Sequence, residues 1–127
     1  DSGLIICHKT RIRANEVADM KVIGDVEGKN IIVVDDMIDT AGTICKAADM
    51  LIDNGAASVR AVATHAVLSG KAYENIEKSK LTEVIFTDSI PQKQPCSKIK
   101  ALPIAPMFAD TIRNIYEHKS ISDHFLM

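Results

Sequence analysis

Short apolar runs rich in β-branched residues alternate along this chain with segments whose apolar residues recur at helical spacing. Leu4–Cys7, Ile31–Asp35, Ser58–Thr64, Glu83–Thr87 and Lys98–Leu102 read as strands. The second and third are apolar at nearly every position, which predicts strands covered on both faces and therefore central in a sheet. From Thr43 the period changes. Ile44, Ala47, Ala48, Leu51 and Ile52 share one helical face, and Gly55 after Asn54 is a stop signal. A second helix is predicted over Lys71–Lys78 and a third over Pro106–His118, where Met107, Phe108, Thr111, Ile112, Ile115 and Tyr116 form one face meant for a core or a subunit interface. Pro91–Ser97, with two prolines, reads as a loop. The alternation predicts an α/β fold, a mostly parallel sheet flanked by helices, and no repeat or linker divides it.

Composition narrows the function classes. The 127 residues, 46% apolar and 25% charged, suit one ordinary globular domain. A formal net charge of -2 is far from the basic balance of nucleic-acid binders, so no nucleic-acid partner is expected. The apolar runs are too short to span a bilayer and no signal segment opens the chain, so no membrane partner is expected either. Cys7, Cys45 and Cys96 are far apart and lack a Cys-x-x-Cys pair, which points to a reducing, cytoplasmic compartment. His8, His65, His118 and His124 have no metal-type partner three or four residues away, so a zinc site built from protein alone is not expected. The chain starts Asp1-Ser2-Gly3 without methionine and runs straight into a strand, like the middle of something longer.

Candidate chemistry concentrates after the second predicted strand. Val33-Val34-Asp35-Asp36-Met37-Ile38-Asp39-Thr40-Ala41-Gly42-Thr43 leads from a strand into a small-residue loop and a helix start. In open parallel sheets the ligand crevice lies at the carboxyl ends of strands. Thr40, Ala41, Gly42 and Thr43 offer backbone N–H groups at a helix N-terminus, two hydroxyls and no bulk over Gly42, a plausible phosphate cradle. It is not a Walker loop, because Gly-Lys-Ser/Thr is absent. Three carboxylates beside such a cradle suit a sugar phosphate: ribose hydroxyls donate to Asp35 and Asp36, and a hard cation such as Mg²⁺ bridges carboxylate, hydroxyl and a further phosphate. The plainer alternative is that Asp39 or Thr40 caps the helix and Asp35-Asp36 is an exposed strand end.

The stretch Val34 to Thr43 resembles the phosphoribosyl-binding motif of ribose-phosphate pyrophosphokinases, also called phosphoribosyl pyrophosphate synthetases. The resemblance continues through Ile23–Lys29, Thr64–Gly70, Phe86–Pro91 and Ser120-Ile121-Ser122 with Phe125. It implies a type I phosphoribosyltransferase-like fold, with residues 1–127 forming the C-terminal domain, incomplete at its N-terminus, of a subunit whose N-terminal domain is absent. It also assigns ribose 5-phosphate to Asp35, Asp36, Asp39, Thr40, Ala41, Gly42 and Thr43, and Mg²⁺ to the substrates with Asp35 and Asp36.

Lys9-Thr10-Arg11-Ile12-Arg13 gathers three cations and reads locally as a solvated loop. By resemblance it is the family's catalytic flexible loop, with Lys9 and Arg11 acting on the transferring phosphates. Thr10, Ile12 and Ala14 depart from the family's usual arginine and prolines. The implied reaction moves the β,γ-pyrophosphoryl group of ATP to the 1-hydroxyl of ribose 5-phosphate, giving phosphoribosyl pyrophosphate and AMP for nucleotide biosynthesis. Ser120, Ser122 and Phe125 fall where the family builds a regulatory site between subunits, which implies a homo-oligomer in the longer protein. The chain alone is expected to be inactive. Two rivals are a phosphoribosyltransferase, which needs a base-recognising hood not evident here, and a non-catalytic synthetase-associated regulatory subunit, which would be expected to have lost Lys9, Arg11 or the acidic motif.

Overall fold

The computed structural model describes residues 6–13 and 16–122, with side chains from residue 24 onward. Strands β1 (Ile6–Arg13) and β2 (Glu16–Ile23) pair antiparallel. Strands β3 (Asn30–Ile38), β4 (Ser58–Ala66), β5 (Glu83–Thr87) and β6 (Ile99–Leu102) form a separate parallel sheet in the order β3-β4-β5-β6. Helix α1 (Gly42–Asp53) joins β3 to β4, α2 (Ala72–Lys78) joins β4 to β5, and α3 (Ala105–Tyr116) follows β6. The α/β fold class read from the alternation of runs is the one observed.

Parallel register puts the residues of each face in rows. Ile31 with Val59, and Val33 with Ala61, Val84 and Ile99, face α1 and α2. Leu51 of α1, Ile76 of α2, Val59, Val84 and Phe86 are fully buried there. Truncating such a side chain costs about 3 kcal/mol, because the lost transfer energy is compounded by the cavity left behind. Helix α1 ends as its sequence predicts: Gly55 takes φ 96°, its N–H bonds the Ile52 carbonyl at 2.9 Å and Ala56 N–H bonds that of Leu51 at 3.1 Å.

Four readings are corrected. The first strand runs past Cys7 to Arg13, so the basic segment is strand rather than loop: Lys9 pairs with Met20, and Arg11 with Val17. Its partner strand is Glu16–Ile23, whose mixed polar and apolar residues carry no strand period. Among the described residues β3 stands at the edge of the parallel sheet rather than at its centre, and on the face away from α1 and α2 Ile32 is 63% and Val34 75% exposed. Of the two places expected for the apolar stripe of α3, a core or a subunit interface, the core is excluded among the described residues, since Met107, Phe108, Ile112, Ile115 and Tyr116 are all exposed.

Candidate functional site

The carboxyl ends of β3 and β4 build the site. Up to Asp35 the buried positions of β3 are odd-numbered, Ile31 and half-buried Val33; beyond it the buried residue is Ile38, and β4 changes in step from Ala63 to Ala66. The break falls at the two adjacent carboxylates. Asp35 Oδ1 accepts the Asp36 N–H at 2.9 Å and Asp36 Oδ1 accepts the Met37 N–H at 2.8 Å. Both side chains are exposed at the strand end, and each leaves its second oxygen outside these bonds.

The loop that follows is held from a distant segment. Leu68 N–H bonds the Ile38 carbonyl at 3.2 Å, and Ser69 N–H bonds that of Asp39 at 3.1 Å. The Ser69 hydroxyl donates to the Asp39 carboxylate, and the Asn75 carboxamide donates to the Thr40 carbonyl at 2.9 Å. Asp39 therefore does not cap α1. The N-cap is Ala41, with φ 60° and no side-chain cap, and the first helical turn has no acidic residue. A non-glycine residue in the left-handed region costs roughly 1 kcal/mol. The helix thus starts with a strained backbone, no side-chain cap at its positive end and small side chains, an arrangement chemically suited to an anion. Of the plainer reading, the cap by Asp39 or Thr40 is not what the structure has, whereas Asp35-Asp36 does stand as an exposed strand end.

Beside the loop, His65 Nδ1 lies 2.8 Å from Ser89 Oγ, and Thr87 donates to the Thr64 carbonyl at 2.6 Å. These residues brace the ends of β4 and β5. The resemblance runs through Thr64–Gly70 and Phe86–Pro91, and so through His65, Ser69 and Ser89, but the bonds they make were not legible in it, and Asn75 lies outside it. Among the described residues no group of three His, Cys, Asp or Glu side chains could hold a metal, so the donor set fits a hard cation only if substrate oxygens complete its shell. No described helix is long and apolar enough to cross a membrane.

A model of the protein family described as "Phosphoribosyl synthetase-associated domain" matches residues 7–126. The chain belongs to this family. Members' relatives share its sequence closely: it is 51% identical over 119 residues to the ribose-phosphate pyrophosphokinase of Porphyromonas gingivalis, covering 94% of this chain and 38% of that protein. With the ribose-phosphate pyrophosphokinase of Helicobacter hepaticus it is 55% identical over 122 residues, 96% of this chain and 40% of the other. The crystal structure of phosphoribosylpyrophosphate synthetase from Mycobacterium smegmatis superposes with a TM-score of 0.80 at 40% identity, over 90% of this chain and 37% of that one. The chain spans about two fifths of the length of these relatives. This phosphoribosyl synthetase-associated chain shares the synthetase fold, a type I phosphoribosyltransferase-like sheet.

The acidic pair, Asp39 and Thr40–Thr43 of this family member lie on one continuous turn from β3 into α1. Lys9 and Arg11 are described as backbone positions on β1, and Ser120 and Ser122 follow α3, where Ser122 N–H bonds Ser120 Oγ at 3.1 Å. Phe125 lies outside the described residues.

Proposed function

We propose that this chain is the C-terminal, ribose-phosphate-binding part of a ribose-phosphate pyrophosphokinase. The 51% and 55% identity to ribose-phosphate pyrophosphokinases over 94% and 96% of the chain carries the reading, and the α1 start at Ala41, which has no side-chain cap and follows the acidic run, agrees with it. The 5-phosphate rests on the amides and hydroxyls of Thr40–Thr43, while Asp35 and Asp36 accept hydrogen bonds from the ribose hydroxyls. Asp39, held by Ser69, keeps the loop's shape. Bound Mg²⁺ would supply charge neutralisation to the phosphates, with Asp35 and Asp36 as its protein-side oxygen donors.

The ribose 1-hydroxyl attacks the β-phosphorus of ATP and AMP leaves, so catalysis is positioning plus charge stabilisation. Lys9 and Arg11 stabilise the charge on the pyrophosphoryl oxygens. Adenine recognition needs residues beyond this chain, which makes the chain alone inactive, and a homo-oligomer with Ser120, Ser122 and Phe125 near a regulatory anion belongs to the same reading. A cytoplasmic location goes with it, Cys45 and Cys96 being free thiols.

The test is twofold. Titrating ribose 5-phosphate into the ¹⁵N-labelled chain is expected to shift the amides of residues 40–43, and silence there refutes the site. In the longer protein, AMP release should require both Mg·ATP and ribose 5-phosphate, which separates a synthetase from a phosphoribosyltransferase or a regulatory subunit. Lys9→Ala should lower turnover at least about a hundredfold, on the scale of lost transition-state charge stabilisation, with ribose 5-phosphate affinity nearly unchanged. Near-normal turnover would remove Lys9 from the mechanism.

A further inference from the structure

We propose that Asn75 is a positioning residue for the phosphate loop: from α2 its carboxamide holds the Thr40–Ala41 peptide turned so that the Ala41 N–H faces the bound anion. The inference rests on the ribose-phosphate reading of the loop and deepens it.

Three consecutive carbonyls, those of Ile38, Asp39 and Thr40, accept hydrogen bonds from the segment Leu68 to Asn75. The first two bonds come from backbone N–H groups. The third comes from a side chain that stands 35 residues away in sequence. A trans peptide is planar, and its C=O and N–H point in opposite directions. No described peptide bond is cis. Fixing the Thr40 oxygen toward α2 therefore sends the Ala41 N–H to the opposite side of the peptide.

Strain makes this bond consequential. Ala41 sits at φ 60°, and rotating the Thr40–Ala41 peptide plane would return it to the relaxed negative region. That rotation would swing the N–H away from the anion and put the carbonyl, a partial negative charge, in its place. The Asn75 bond opposes it directly, because the rotation carries the Thr40 oxygen off the carboxamide. Ser69 works from the preceding residue, gripping Asp39 by carbonyl and carboxylate together. Asn75 bonds the loop's outward carbonyl rather than ligand, so its role is to position.

The experiment titrates ribose 5-phosphate, and separately inorganic phosphate, into the whole 127-residue chain and two variants. Asn75→Leu keeps the side-chain volume without the donor; Asn75→Asp keeps the shape but only accepts. Both should weaken ribose 5-phosphate and phosphate by the same factor, about tenfold, as expected when one oriented hydrogen bond to an anion is lost. The Ala41 amide resonance should move even without ligand, while Tm stays within a few degrees of wild type, a combination that a purely structural role would not produce. Asn75→Asp retains the falsification if Asn75→Leu fails to fold. Wild-type affinity in either folded variant overturns the inference alone. Absence of binding by the wild-type chain overturns the ribose-phosphate reading and this inference with it.

Discussion

At the scale of single residues, Asp39 and Cys45 show how environment decides what a side chain does. Asp39 looks in sequence like a helix cap, yet its carboxylate takes the Ser69 hydroxyl and leaves the helix end open. Nothing within a few positions of Asp39 indicates that choice, because Ser69 reaches it through tertiary folding. Cys45 is a buried thiol on the inner face of α1. Burial, with the negative charge of Asp49 adding to it, pushes its pKa up against the opposing hydrogen bond from Ser79 and the positive charge of Lys98. The thiolate is the reactive form, so iodoacetamide at pH 8 should label Cys45 at least about tenfold more slowly in the folded chain than in denaturant. Half-buried Cys96 should label faster than Cys45. Peptide mass mapping over a time course gives both rates, and equal labelling of Cys45 in the two states would contradict its burial.

At the scale of elements, the segments of clear periodicity were legible and the charged ones were not. Helix α1 has its apolar face at 44, 47, 48 and 51, and its glycine stop sits where local chemistry demands. Helix α2 is only two turns long, and its end is closed by Ser79 and by a remote cation. The Lys98 ammonium donates to the carbonyls of Glu77 at 2.9 Å, Ser79 at 2.7 Å and Ile76 at 3.3 Å. It shares the Ile76 carbonyl with Ser79, pairs those of Glu77 and Ser79, and complements the negative end of the helix dipole. Lys98→Met keeps the aliphatic stem and removes the donors, so it should destabilise the chain by about 1–2 kcal/mol. Urea unfolding measures this, and an unchanged midpoint would mean that water replaces the ammonium without loss. The strands β1 and β2 were missed in part because Lys9, Arg11 and Arg13 read as solvated loop, whereas a two-stranded ribbon tolerates alternating charge.

At the scale of the whole molecule, the two faces of the parallel sheet differ. One packs on α1 and α2, and the other carries exposed Ile32, Val34 and Leu102. Tyr116 of α3, 85% exposed, and its apolar neighbours add to the uncovered surface. Surfaces of this kind bind apolar dyes and associate. The chain should therefore enhance ANS fluorescence while folded, and Ile32→Thr with Val34→Thr should reduce it, since threonine keeps the strand preference. Undiminished dye binding in that double variant would place the apolar surface elsewhere. The sequence by itself determined the order of the four parallel strands and the three helices, the stop of α1 and the family, because periodicity, turn residues and motif spacing act within a few positions of the chain. Apolar runs also declared that β3 favours cover on both faces. Only the tertiary structure decided that β3 lies at the sheet edge with one face open, that β1 extends through the cations, and that Ser69 and Asn75 hold the loop. The hold on the loop depends on contacts between segments 30 and 35 residues apart, whose meeting is set by the packing of the parallel sheet.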